Sequence, residues 1–190
     1  MKQRMYKDVR DTLKTGDLIA FGGDGKASEV IKAATNSNVS HVGVVLSTTP
    51  LESLILVVQI IESTKFANGF SGVGINRMST HVEQYDGDIW VLPLKDEVII
   101  RGDIKAFTKF LLEHKGKPYD VPQAIMSAID FMPSKEDFSK LFCSEYATGA
   151  YEAGKFIPPI NASKQTPVDV CRFNIYYEPY QLVNQAVELW

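Results

Sequence analysis

Apolar positions come in short, β-branched runs up to about residue 94 and at helical spacing after it. Tyr6, Val9 and Leu13 are loosely helical in spacing over 6–15. Gly16-Asp17 reads as a turn into an apolar strand over 18–21. A Gly22-Gly23-Asp24-Gly25 loop follows, then a short helix over 27–35. Strands are predicted over 39–46 and 54–61, joined by a polar turn containing Pro50, which is most simply an antiparallel hairpin. A weaker strand is expected over 74–78 and a better one over 88–94 around Trp90, with 64–87 otherwise loop-rich. Asp103 stands as an N-cap before Ile104, Phe107, Phe110 and Leu111, and Gly116 stands where a helix ends. Helices over 120–130 and 144–153 and a last short one from Tyr180 complete the pattern. Strands first and helices after predict an α+β domain, not an alternating α/β one.

Length and composition narrow the class. The chain has 190 residues, 45% of them apolar, which is enough for a real core in one domain over 1–190. With 20 basic and 23 acidic residues the net charge is −3. That lacks the basic excess expected of a nucleic-acid binder. Two cysteines, Cys143 and Cys171, do not make a disulfide scaffold. No apolar run approaches the roughly 18 residues of a membrane-spanning helix. The polar, charged start from Met1 to Gly16 has no signal-peptide core, so a cytoplasmic location is expected unless a leader has been removed.

Candidate chemistry centres on Cys143, in Leu141-Phe142-Cys143-Ser144-Glu145-Tyr146 at the predicted start of a helix. The first N–H groups of a helix favour a thiolate and can face a developing oxyanion. The bland alternative is a small buried hydrophobe between Leu and Phe. A nucleophilic thiol needs a base, and His41 opens the strand Ser40-His41-Val42-Gly43-Val44. With the hairpin turn centred between Leu51 and Glu52, His41 lies directly across from Glu62 on the same face. A carboxylate there would fix the imidazole tautomer and support the imidazolium. A slip of one residue would break that pairing. His81 is expected in a surface loop, and His114 as a helix-end residue complementing the dipole. Phe107, Phe110, Phe131 and Phe138 could line an acyl groove, but read better as ordinary core. Gly22-Gly23-Asp24-Gly25-Lys26 lacks the residues of a phosphate loop, and no metal-binding spacing is present.

The order of the pieces carries a resemblance. Gly16-Asp17-Leu18-Ile19 comes first, then Ser40-His41-Val42-Gly43-Val44, then Glu62. Gly116-Lys117-Pro118-Tyr119-Asp120 follows, and Phe142-Cys143-Ser144-Glu145-Tyr146 comes last. Over residues 16–154 the chain resembles the circularly permuted papain-like hydrolases of the NlpC-type superfamily, in which the histidine precedes the cysteine. It is most similar to the small bacterial amidase/peptidase branch. The lecithin:retinol acyltransferases and related lipid enzymes are more distant members.

The resemblance implies a permuted papain-like fold, with an antiparallel sheet or partial barrel packed on helices. It implies a Cys143–His41–Glu62 triad, with Glu62 carried over least securely because the third residue varies in the superfamily. Asp17, Tyr119, Ser144 and Glu145 take substrate-binding or support roles. It implies no cofactor and no metal. The expected activity is hydrolysis of an amide, in a peptide or cell-wall-like peptide, through an acyl-enzyme. Two alternatives stay open. One is a lipid acyltransferase or esterase with the same triad. The other is a non-catalytic binding module, with Pro158, Pro159, Tyr176, Tyr177 and Tyr180 as an exposed contact surface. The partner is therefore a peptide or acyl-containing small substrate, with no nucleic acid and no stable membrane span; the oligomeric state stays open.

Overall fold

The computed structural model of the protein describes residues 1–50, 56–66, 69–118 and 142–183. Tyr119, Phe131, Phe138 and the helix expected over 120–130 lie outside these residues. The elements run β1 (Lys2–Met5), α1 (Tyr6–Val9), β2 (Leu18–Gly23), α2 (Lys26–Thr35), β3 (His41–Pro50), β4 (Leu56–Lys65) and β5 (Ser71–Arg77). Then come α3 (Met78–Gln84), β6 (Gly87–Leu92), α4 (Asp96–Arg101), α5 (Ile104–Glu113), α6 (Cys143–Ala153), α7 (Pro167–Cys171) and β7 (Tyr180–Val183). Short 3-10 turns follow α1 and precede α7.

The architecture is α+β: a seven-stranded mixed sheet packed against helices, in the order β1-β7-β6-β2-β3-β4-β5. Among the described residues, β1 and β7 pair in parallel and the other neighbouring strands pair antiparallel. Both faces of the sheet are covered. Leu18, Ala20, Val42, Val44, Ile61, Val73 and Leu92 share one core with Phe107, Leu111 and α6. Ile19, Phe21, Val45, Ile60, Ile89 and Val91 share the other with Val9, Leu13 and Met78. This is why Leu18-Ile19-Ala20-Phe21 is an unbroken apolar run: β2 is central and buried along its whole length.

α6 is buried over nine successive residues, Cys143 to Tyr151. Burial on every face, polar Ser144, Glu145 and Thr148 included, marks a helix enclosed by the rest of the domain. α5 forms where expected, with the Asp103 carboxylate accepting the Ala106 N–H at 2.9 Å. Gly16 has φ +97, a backbone state that favours glycine, and a side chain there would also meet Leu94 at 2.7 Å.

Three expectations are corrected. The stretch 64–87 is not loop-rich: it holds β5 and α3. Met78, Val82 and Tyr85 recur at helical spacing and pack on the Phe21 core, which is the signal for α3. Tyr180 opens a strand, not a helix. Tyr180 and Leu182 are buried while Gln181 and Val183 are half-buried, a period of two set by pairing between β6 and β1. Tyr176 and Tyr180 are consequently buried; of the tyrosines proposed as a contact surface, only Tyr177 is largely exposed.

The third correction is the hairpin register. The expected turn would place Val44 opposite Gln59, but Val44 pairs with Ile61 and Val45 with Ile60. An irregularity between Val45 and Ser47 absorbs one residue. At the base of the hairpin the register is thus shifted by two residues, and a shift of two leaves every side chain on its face.

Candidate active site

β3 delivers His41 from its first residue, directly opposite Phe21 on β2. β4 delivers Glu62, whose side chain is 1% exposed. Because of the register shift, Glu62 packs against Gly43 and not directly across from His41. The absence of a side chain at 43 lets the imidazole reach diagonally to the carboxylate. His41 Nε2 and Glu62 Oε2 are 2.6 Å apart.

That contact uses one ring nitrogen and leaves Nδ1 of His41 for another partner. Cys143, the first residue of α6, is hydrogen-bonded to the His41 side chain. Burial works against a charged imidazole here. The Cys143 side chain and the Glu62 carboxylate, each through charge and a hydrogen bond, outweigh it and hold His41 above its ordinary value, at about 10. For Glu62, burial pushes the carboxyl up. The hydrogen bonds and charges of His41 and His81 prevail and hold it well below the usual carboxylate range. Glu62 is therefore a buried anion compensated by imidazole donors.

Glu62 has a second set of partners. Its Oε1 lies 2.8 Å from His81 Nε2 on α3 and accepts the Asn76 side-chain N–H of β5 at 2.7 Å. His81 is not a surface loop residue as its sequence neighbours suggested. Since the carboxylate is ionised, His81 must carry its proton on Nε2. The Phe21 ring stands against both imidazoles, at 5.4 Å from His41 and 5.1 Å from His81, and also touches Tyr85.

The support residues separate into different places. Asp17 is buried, and its two carboxylate oxygens accept the backbone N–H groups of Lys14 and Leu94 at 2.9 and 2.8 Å. It staples the turn before β2 to the segment after β6, which is a structural task. Ser144 and Glu145 are fully buried in the first turn of α6, where Glu145 also complements the helix dipole. Phe107 is fully buried and packs on Tyr151 and Phe156, so it is core and not a groove wall. His114 follows α5, stacks on the Phe110 ring with centroids 4.0 Å apart, and is shifted downward by burial. Cys171 is pushed up to about 12 by burial.

Among the described residues, no group of three or more His, Cys, Asp or Glu side chains is arranged to hold a metal ion. In the Glu62 cluster both imidazole Nε2 atoms are spent on the carboxylate. No helix of the described residues is long and apolar enough to cross a membrane.

No family model matches the chain, and no curated protein does. Among solved structures it is similar to yiiX from Escherichia coli O157:H7, described as a metalloprotein of the DUF1105 group. The TM-score is 0.52 at 18% identity, over 76% of this chain and 67% of that one. At that identity the likeness is one of fold.

Proposed function

We propose that this protein is a cysteine hydrolase of the permuted papain-like type, acting on an amide bond through Cys143, His41 and Glu62. The observation that carries the reading is the placement of His41. One edge of its ring meets Cys143 at the start of a buried helix, and the other meets an ionised, buried carboxylate. A structural histidine needs no thiol partner, and a structural cysteine needs no imidazole.

The chemistry follows from these positions. His41 Nδ1 takes the proton of Cys143, and Glu62 stabilises the imidazolium while holding its tautomer. The Cys143 sulfur attacks the carbonyl carbon and forms a tetrahedral oxyanion beside the first N–H groups of α6, which have no acceptor within the helix. The C–N bond breaks as His41 returns its proton to the leaving amine. Water then attacks the thioester, giving its proton to His41, and the C–S bond breaks to release the acid. The amide class of the substrate comes from the motif resemblance, with a peptide or cell-wall-like peptide as the natural form.

The test is the pH dependence of iodoacetamide labelling at Cys143 and Cys171, read by mass spectrometry, in the wild type and His41→Ala. Fast labelling of Cys143 near neutral pH, slowed and reshaped by His41→Ala, is expected, with Cys171 inert. Labelling of Cys143 that is slow and indifferent to His41 would defeat the proposal.

A further inference from the structure

His81 takes no part in the chemistry above, yet it touches the carboxylate on which that chemistry depends. We propose that His81 is a positioning residue: by donating its Nε2–H to Glu62 Oε1, it keeps the other oxygen, Oε2, on His41. This inference rests on reading Cys143 and His41 as the reacting pair.

The geometry is specific. Glu62 ends in a carboxylate that can turn about its last bond, and the two oxygens are chemically equivalent until something distinguishes them. His81 at 2.8 Å and Asn76 at 2.7 Å both bind Oε1, while His41 at 2.6 Å binds Oε2. Two donors on one oxygen and one on the other fix the plane of the group. The three donors come from three elements, β3, β5 and α3, so no single strand movement carries them together. Asn76 alone would leave Oε1 with one neutral, flexible donor. The imidazole of His81 is held rigidly, its ring against Phe21 and Tyr85. Its side chain is only 18% exposed, as is that of His41.

The Nε2–H of His81 stabilises the anion at Oε1, and the other oxygen of the same carboxylate faces the imidazole of His41. The titratable groups around His41 are Cys143 from α6, Glu62 from β4 and, beyond the carboxylate, His81 and Tyr85 from the α3 side. Among them only Glu62 is touched by His81 through a hydrogen bond. Loss of His81 therefore reaches His41 through that carboxylate.

The experiment follows the imidazole of His41 by NMR through a pH titration of the full-length protein, in the wild type, His81→Ala, His81→Gln and Cys143→Ala. Thermal melting checks that each variant folds. His81→Ala is expected to lower the His41 midpoint by about one pH unit, a tenfold change in its protonation constant. His81→Gln, which keeps an N–H donor near the same place, should restore most of it. The rate of Cys143 labelling should fall about tenfold in His81→Ala on the acid side of its profile and recover in His81→Gln. A merely structural role would change the melting temperature without moving the His41 midpoint. An unchanged midpoint in folded His81→Ala, or equal loss in both variants, overturns the positioning role. The labelling test with His41→Ala judges the thiol–imidazole reading separately: its failure shows in the wild type, whereas failure of the positioning role shows only in the His81 variants.

Discussion

A Cβ atom added at Gly43 would stand 3.2 Å from the Glu62 Cβ and 3.7 Å from its Oε2. The neighbouring strands thus meet at a glycine where the carboxylate turns toward His41. Any side chain at 43 must move the Glu62 side chain or spread β3 from β4. Gly43→Ala requires a shift of a few tenths of an ångström, while Gly43→Val adds two methyl groups in the same space. Labelling of Cys143 near neutral pH is expected to slow modestly in Gly43→Ala and about tenfold or more in Gly43→Val, tracking displacement of Oε2 from Nε2. Equal, wild-type labelling in both folded variants would show that the diagonal contact does not depend on the empty place at 43.

Replacing Glu62 tests the buried anion itself. Glu62→Gln keeps the size but presents an N–H to one of the imidazole donors and removes the charge that faces His41. Breaking one member of a buried, hydrogen-bonded pair costs about 3 kcal/mol. The pH dependence has a definite sign. The folded-state pKa of Glu62 is depressed, so its contribution is complete above the unfolded value of about 4.5 and is lost as pH falls below it. The His41 value is raised, so the same pair weakens again as pH rises from about 6.5 toward about 10. Urea denaturation at pH 3, 7 and 10 should therefore show the largest wild-type advantage over Glu62→Gln at pH 7. A constant advantage across that range would contradict the ion pair.

Helix α5 offers a control far from the chemistry. The Asp103 cap bond to Ala106 holds the start of a helix whose Phe107 and Leu111 reach the core. Asp103→Ala should cost about 1 kcal/mol in urea denaturation and leave Cys143 labelling unchanged. A change in labelling rate at equal fold would tie this helix to the site.

How much of this was written legibly in the chain depends on the range of the interaction. Local signals read well: Asp103 before α5, the glycine turn before β2, and Cys143 at the head of α6 all depend on neighbours within a few residues. The pairing of His41 with Glu62 was also visible, because an error of two residues in the hairpin preserves the face. The register itself was not visible, since the irregularity at Val45 and Ser47 depends on how β3 meets β2 and β4 together. His81 was missed because a histidine after Ser-Thr resembles a loop residue until α3 is packed against Phe21. Tyr180 was misread because alternation over four residues carries little signal until β1 and β6 supply its partners. The role of Asp17 was unreadable for the same reason: its two N–H partners lie three residues before it and in a segment that follows β6.

Asp17 supplies a prediction with the opposite sign to that of Glu62. It is 1% exposed, and burial pushes its carboxyl up to about 6, although the N–H groups of Lys14 and Leu94 pull the other way. A carboxyl whose folded value is raised contributes fully below its unfolded value of about 3.8, and that contribution is lost as pH rises through about 6. The shift corresponds to roughly 3 kcal/mol at most. Asp17→Asn keeps one carbonyl oxygen to accept the Leu94 N–H, but turns an N–H toward that of Lys14, at a pH-independent cost of about 1–3 kcal/mol. The stability gap between wild type and Asp17→Asn is therefore expected to be widest near pH 4 and to shrink by pH 7. Taking the difference between the two proteins cancels the acid titration of Glu62, which they share. Urea denaturation at pH 4, 5.5 and 7 measures it. A gap that stays constant, or widens as pH rises, would mean that the two backbone donors stabilise the ionised carboxylate more than burial opposes it.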